Sequence, residues 1–390
     1  MNIFSKTEYE QRLLNTKTAM VKQGLDVILL ADPANMNYLT GYDGWSFYTP
    51  QVVLVVLDEQ EPFWIGRAMD ANGARHTCYL AGDHIIGYPE NLVQTAADHP
   101  MRFVADFLKE RHWDKRSIGL EKDVYYFNAR WLEELQQAMP LANFRDCSLL
   151  VNWVRSIKSA AEITYMQRAG KIAERAMQAA IDNIAPGVRE CDAVAEVYRA
   201  QIRGTKEFGG DYPAIVPMMP TGEKTSAPHL TWTDEPYKNE QAVNLELSGC
   251  CHRYHSPLAR TAYIGRNPPR KLQDLAKNVV DGLNLTLDAI KPGISCEDVE
   301  LVWRKHIAKF GLKKDSRIGY STGLNYPPDW GEHTMSLRQG DKTLLQPNMT
   351  FHMILGMWLD DGGYECSEAF RVTETGCETF ANFPRKLLQI

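Results

Sequence analysis

NLELSGCCHRYHSPLART, residues 244–261, decides how the chain is read. Two strand-like pieces flank a turn, and the second ends in Arg260-Thr261. Alternate residues of a strand share a face. A pair of this kind can therefore line a pocket with metal-binding carboxylates. The only acid in the stretch is Glu246. The frame of such a pocket is present without most of its ligands.

The segments around this pair define a domain. Residues 159–184 have the apolar spacing of one long amphipathic helix, with Ser159 as N-cap and Glu162 completing a capping box. A second helix is predicted at about 190–203. Strand-like pieces follow at 213–218, 242–247 and 259–264, then helices at about 269–290 and 296–310. The segment 349–375 is strand-rich. This order predicts an α+β domain, with helices packed on one side of a curved antiparallel sheet. Residues 1–155 read differently. A helix over 7–24, strands at 26–31, 51–58, 61–66 and 117–121, and helices at 33–41, 101–111 and 127–138 predict an α/β layer domain. The boundary falls at about 155, giving domains 1–155 and 156–390.

The 390 residues carry 44% hydrophobic and 24% charged side chains, the balance of a globular protein. The net charge of −6 argues against nucleic acid or an anionic membrane as the main partner. No apolar run reaches membrane-spanning length, and the N-terminus lacks the apolar core of a signal peptide. The eight cysteines form no CxxC pair, which suits free thiols in the cytoplasm.

GVRECDAVAEVY (187–198), the His of SAPHL (226–230), ART (259–261), Gly319–Leu324 and LLQPNMTFHM (344–353) occur in an order that resembles the creatinase and methionine-aminopeptidase superfamily. That resemblance implies the pita-bread fold, preceded by a creatinase-like N-terminal domain. Metal-dependent members hold two ions with two Asp, one His and two Glu. Counted from Arg260-Thr261, those places fall here at Glu246, Pro257, Tyr320, Ile354 and Ser367. Hard divalent ions need several oxygen or nitrogen ligands, so the expected metal set and cofactor set are empty. Creatinase is a metal-free precedent with a His at the place of His229, although its Glu positions fall here at Ala259 and Ile354. Longer strings are more specific. TGYDGWSFYTPQ (40–51), RAMDANGARHTCYL (67–80), GGDYPAIVPMMPTG (209–222), YPPDWGEHTMSLR (326–338) and NFPRKL (382–387) resemble the bacterial ectoine hydrolase family.

That resemblance implies hydrolytic ring opening of ectoine, a small cyclic amidine, to N-acetyl-diaminobutyrate. Hydroxyectoine is a possible second substrate. A homodimer and functional coupling to a deacetylase are also implied. The chemistry asks for a carboxylate near the amidine carbon, as nucleophile or base, and a proton carrier. Glu246 and His229 are the candidates. Tyr254, His255 and Arg260 follow on the same strand pair, with Arg260 a candidate for the substrate carboxylate. His252 and His255 do not make a metal pair, because no third ligand accompanies them. Tyr320, Tyr326, Trp330 and Trp358 are candidate walls for a flat cation. Glu365 and Glu368 are candidate partners for the amidinium. Asp43, Trp45 and Phe47 are implied by resemblance to reach over a partner subunit's site. Three other readings stay open: another metal-free C–N hydrolase, a metal-dependent prolidase-type peptidase, and a catalytically silent binding protein.

Overall fold

The apolar runs near the N-terminus form central strands because nearly every residue in them is buried on both faces. In the computed structural model, which describes residues 3–96 and 98–390, the chain divides into two units, Met1–Arg155 and Ser156–Ile390. The first unit runs α1 (Lys6–Gln23), β1 (Val27–Leu30), α2 (Pro33–Thr40), β2 (Val52–Val56), β3 (Phe63–Arg67), α3 (Ala71–Thr77), β4 (Ile85–Tyr88), α4 (Pro100–Glu110), β5 (Ser117–Leu120), α5 (Ala129–Ala138), β6 (Asn143–Asp146) and α6 (Leu150–Val154). Its sheet has the order β4-β3-β2-β1-β5-β6. The β1–β5, β5–β6 and β3–β4 pairs are parallel, and β1–β2 and β2–β3 are antiparallel. Val27, Leu29, Leu54 and Ile65 pack with Val104, Leu108, Trp131 and Leu135 of α4 and α5 in one core. α1 stops at Gly24, whose φ of 65° only glycine adopts without strain. α3, β4 and β6 have too few periodic residues to be read from sequence.

The second unit begins with α7 (Ala160–Asn183) and α8 (Glu190–Arg203). The capping box of α7 is formed: Ser159 Oγ accepts the Glu162 N–H at 3.2 Å, and Glu162 Oε2 accepts the Ser159 N–H at 2.8 Å. β7 (Gln241–Cys251) and β8 (Tyr254–Ile264) make a long hairpin. Its two-residue turn, His252-Arg253, has positive φ at both positions. That turn is held by the Asp211 carboxylate, which accepts the His252 N–H, and by Arg253 lying 3.6 Å over the Tyr212 ring. Then come α9 (Arg270–Asp288), α10 (Cys296–Ile307), β9 (Gly319–Thr322), β10 (Gly331–Leu337), β11 (Thr350–Ile354), β12 (Met357–Leu359), β13 (Gly362–Tyr364), β14 (Ser367–Val372), β15 (Cys377–Thr379) and β16 (Leu388–Gln389). Residues 213–218, expected as a strand, form a loop that touches β7 only by the isolated Met218–Glu246 bridge. The hairpin's own pairing already satisfies one edge of β7, and the loop follows it for one residue pair.

The strands form two sheets, β16-β8-β7 and β10-β9-β11-β14-β15, beside the short β12–β13 pair. Each sheet buries one face under its own helix pair. Leu245, Leu247, Leu258 and Ala262 pack against Ala173, Met177, Val194 and Val197 of α7 and α8. Phe351, Met353 and Phe370 pack against Val279, Leu283, Val299 and Trp303 of α9 and α10. The opposite faces are free to line a site. No helix among the described residues is long and apolar enough to cross a membrane.

The α7 backbone rests directly on β7 at Gly249. A Cβ there would stand 1.9 Å from Ala169 O and 2.7 Å from Ala173 N. Both are backbone atoms, so neither can rotate away. Gly249→Ala is expected to destabilise the protein by about 3 kcal/mol, measured as a lower urea midpoint at unchanged m-value.

Candidate active site

The period of β7 decides what reaches the interior. Leu245 and Leu247 go to the helix side, so Asn244, Glu246 and Ser248 take the other face. The register sets Asn244 opposite Thr261, Glu246 opposite Ala259 and Ser248 opposite Pro257. Thr261 Oγ1 lies 2.8 Å from Asn244 Oδ1 and accepts the Glu365 N–H at 2.9 Å. That bond brings Glu365, at the start of the last long hairpin, beside the Glu246 face.

Glu246 is 5% exposed and Glu365 2%. Neither carboxylate receives a hydrogen bond from a described residue; what opposes their burial is the charge of Lys314. Lys314 lies in the loop after α10, donates to Gly356 O at 2.8 Å and sits 4.3 Å from the Trp358 ring centroid. Burial pushes Glu246 up to about 8, partly offset by Lys314. Glu365 is raised well above its usual value by burial and then by the charge of Glu246. Burial lowers Lys314 to about 8 against the pull of both carboxylates. Fully ionised, the three groups would carry one net negative charge in an apolar interior, so they favour retaining a proton or taking up a cation.

The second sheet supplies the facing wall. Tyr320 pairs with His352 across β9 and β11, and Ile354 pairs with Ser367 across β11 and β14. Tyr320 Oη lies 3.0 Å from His352 Nδ1 and accepts the Trp330 indole N–H at 2.8 Å. His352 Nε2 lies 2.8 Å from Ser367 Oγ, which accepts the Ala259 N–H at 2.7 Å. The charge of Glu246 acts on the Tyr320 phenol. The five places that the family resemblance assigns to metal ligands hold Glu246, Pro257, Tyr320, Ile354 and Ser367. This donor set does not fit a two-metal centre. Among the described residues no group of three or more His, Cys, Asp or Glu side chains is placed to hold a metal ion.

Several expected site residues are committed elsewhere. Arg260 is fully buried, and all five of its N–H donors are used: Pro384 O, Ala259 O, Ser367 O, Glu368 Oε1 and Phe383 O lie at 2.6–2.9 Å. No donor remains for a substrate carboxylate, so Arg260 is a fastener between β8, β14 and the C-terminal segment. Glu368 is fully buried and accepts from both Arg260 and Arg385. Both arginines bond Oε1 while Oε2 has no hydrogen-bond partner among the described residues, so the charge of Glu368 is met by two guanidiniums rather than left for an amidinium. Tyr254 is fully buried, stacks on Tyr165 and donates to Glu162 Oε1 at 2.8 Å. His255 is fully buried, and its Nε2 accepts the Ala214 N–H at 2.8 Å, which pins the 213–218 loop. His252 stands on the exposed hairpin turn, away from His255.

Trp330 is fully buried and bonds Tyr320, whereas Tyr326 is buried beside Arg253. Trp358 is half-buried under Lys314. His229 stands on an exposed turn, and its ring makes no hydrogen bond to a described residue. Four residues before it, Thr225 O accepts from the Asn244 side chain at 3.2 Å, and Thr225 Oγ1 accepts the Gly363 N–H at 3.0 Å. That tether ties the His229 turn to the strand of Glu246. Asp43, Trp45 and Phe47 lie in the first unit, on the loop between α2 and β2, with Trp45 against Phe47 at 4.8 Å. Lys314, His352 and the Ser367 hydroxyl were not legible as site groups. A lysine in GLKKDSR reads as a solvated loop charge, and only pairing across three strands links His352 to Ser367 and Tyr320.

A model of metallopeptidase family M24 matches residues 164–374. A model of the creatinase/prolidase N-terminal domain matches residues 12–157. The prolidase of Thermococcus sibiricus superposes with a TM-score of 0.84 at 17% identity, over 99% of this chain and 100% of its own. An Xaa-Pro dipeptidase of Bacillus anthracis does so with 0.81 at 21%, over 98% and 100%. Fold and site together define a creatinase-like pita-bread hydrolase. Among curated proteins, an ectoine hydrolase of Halomonas elongata is 45% identical over 98% of both chains. An uncharacterized hydrolase/peptidase of Sinorhizobium fredii is 45% identical over 99% of this chain and 98% of its own. The chain belongs to the ectoine hydrolase family.

Glu246 has a folded-state value above its unfolded one, so folding takes up a proton. Its contribution to stability is therefore greatest below the ordinary carboxylate range and is lost as pH rises toward about 8. Glu246→Gln is expected to be more stable than the parent at pH 8, with a gap that shrinks toward pH 5. The gap grows by at most about 1.4 kcal/mol per pH unit. Urea unfolding at the two pH values measures it. A gap that is larger at pH 5 would contradict the desolvation argument.

Proposed function

We propose that the protein hydrolyses ectoine to N-acetyl-L-2,4-diaminobutyrate without a metal ion, with Glu246 as nucleophile or base. The observation that carries this reading is the pair of buried carboxylates, Glu246 and Glu365, which among the described residues have no hydrogen-bond donor and only Lys314 as counter-charge. A cyclic amidinium supplies what they lack, a flat cation with two N–H donors. The donor set at the old ligand places favours a route without metal. The similarity to the Halomonas elongata ectoine hydrolase favours this amidine over others.

The protonated amidine carbon is already electrophilic. Glu246 either adds to it, and the adduct opens to an imidoyl-enzyme that keeps the other nitrogen and is later cleaved by water at the substrate carbon, or it takes a proton from the water that adds. In both routes water's oxygen ends on the acetyl carbon. One ring C–N bond breaks, and its electron pair leaves with the nitrogen, which gains a proton. Binding of the cation favours ionised Glu246, while Glu365, raised by burial and by the charge of Glu246, holds the shared proton. His229, on the turn tethered beside the Glu246 strand, exchanges the transferred proton with solvent. The substrate carboxylate is held by groups other than Arg260. By the same reading the protein is a cytoplasmic homodimer, accepts hydroxyectoine as a related substrate, and passes its N-acetyl product to a deacetylase. Asp43, Trp45 and Phe47 contribute from the partner subunit.

A proton NMR time course with ectoine, with and without EDTA, tests the reading. The acetyl signal of the ring-opened product is expected at the same rate in both samples. A rate abolished by EDTA and restored by divalent metal would return the chain to the peptidase mechanism. Binding without turnover would make it a silent binding protein. Glu246→Gln is expected to lose at least about 10³-fold in kcat, and His229→Ala more than about tenfold, 1.4 kcal/mol of barrier. Survival of either variant within tenfold removes that residue from the mechanism.

A further inference from the structure

The chain of hydrogen bonds on the second sheet leaves one proton whose position can be counted. Trp330 Nε1 is a donor only, so Tyr320 Oη accepts from it at 2.8 Å. Ser367 Oγ likewise accepts from the Ala259 N–H at 2.7 Å. Between these two hydroxyls lies the His352 ring, 3.0 Å from Tyr320 and 2.8 Å from Ser367. His352 is fully buried, and burial pushes its imidazole down to about 3, so it is neutral and carries a single N–H.

Two arrangements remain. In the first, Ser367 donates to Nε2, Nδ1–H donates to Tyr320, and the O–H left over belongs to Tyr320. In the second, Tyr320 donates to Nδ1, Nε2–H donates to Ser367, and the O–H left over belongs to Ser367. Ser367 is fully buried and its hydroxyl has no other acceptor among the described residues, so the second arrangement strands a hydroxyl proton in the core. Tyr320 is half-buried and packs with Ala214, Met218 and Trp330, and Met218 is bridged to Glu246, so in the first arrangement the spare proton belongs to a hydroxyl beside the Glu246 strand. The first arrangement wins because it buries no orphan donor.

We propose that Tyr320 is a catalytic hydrogen-bond donor to the tetrahedral centre formed beside Glu246, and that His352 and Ser367 are positioning residues that fix one imidazole tautomer and so aim the Tyr320 hydroxyl. The role assigned to Tyr320 rests on the ring-opening reading; the tautomer does not. Burial and the charge of Glu246 hold the phenol far above its usual value, so Tyr320 keeps its proton and donates a hydrogen bond throughout. As the flat amidine carbon becomes tetrahedral, its new oxygen and its departing nitrogen both become better acceptors. A donor already fixed in place strengthens its bond at that moment without reorganising. Without the Ser367 hydroxyl, the imidazole is no longer locked, and Nδ1 can accept the Tyr320 proton, turning the donor away from the pocket.

Two measurements separate the parts. Nitrogen-15 NMR of histidine-labelled protein, with the His352 signals assigned by their loss in His352→Gln, is expected to show Nδ1 protonated and Nε2 unprotonated, unchanged between pH 6 and 8. Protonated Nε2, or titration in that range, overturns the relay whether or not ectoine is the substrate. The second measurement is a kinetic double-mutant cycle on ectoine. Tyr320→Phe is expected to lower kcat about 10²-fold, with KM within about threefold. Ser367→Ala is expected to lower kcat about tenfold in the parent but less than about twofold in the Tyr320→Phe background. Additive losses would assign Ser367 a merely structural role and overturn the relay. Full kcat in Tyr320→Phe would remove Tyr320 from the chemistry. A parent protein that binds but never opens ectoine would sink the substrate reading while leaving the NMR result standing.

Discussion

Two buried carboxylates and one half-buried ammonium set the terms for the rest of the second unit. Glu246 and Glu365 stand almost out of contact with solvent, and among the described residues they have no hydrogen-bond donor and only the charge of Lys314 between them. Such an arrangement costs stability, because each ionised carboxylate has lost water and gained little in return. It persists because the surrounding sheets are fixed by other means, and because a cation entering the site would be attracted by the same imbalance. Strain of this kind concentrates where function lies.

What fixes the sheets is Arg260. Its guanidinium uses every N–H it has on β14, the C-terminal segment and its own strand, and its charge is met by Glu368. The residue that follows, Thr261, accepts the Glu365 N–H. Two adjacent residues of β8 therefore hold together the two sheets and one of the two site carboxylates. The retained Arg-Thr pair and the lost metal ligands are then compatible. The first is needed to assemble any pocket on this frame, and the second are needed only if the pocket works through metal. Where ligands stood, Tyr320 and Ser367 now exchange hydrogen bonds through His352, so the facing wall is closed by a neutral polar relay rather than by ions.

Much of this was readable before any coordinates. The family resemblance implied that Glu246 stands at a place aimed into the pocket, and the Ser159–Glu162 capping box marked the start of α7. The resemblance also implied that Pro257, Tyr320, Ile354 and Ser367 stand where metal-dependent members carry ligands. The errors have a common cause. Tyr254, His255, Arg260 and Glu368 lie close in sequence to Glu246 or Glu365, and closeness in sequence suggested a shared site. Tyr254, Arg260 and Glu368 alternate with the inward-facing residues and point to the helix side, whereas His255 shares the face of Glu246; a polar residue buried on either side must find partners there. Tyr254 finds Glu162, His255 finds the Ala214 amide, and Arg260 finds Glu368.

The sequence by itself determined the family, the two-part fold and the identity of the one surviving acid at the old ligand place, because these depend on local periodicity and on the order of motifs along the chain. Only the tertiary structure decided which polar groups share the pocket. Lys314 joins Glu246 from a loop that begins beyond α10, Glu365 arrives through a hydrogen bond to Thr261, and His352 lies between Tyr320 and Ser367 because three strands pair in one register. Burial, charge and tautomer are properties of those encounters between distant residues, and no local pattern in the chain encodes them.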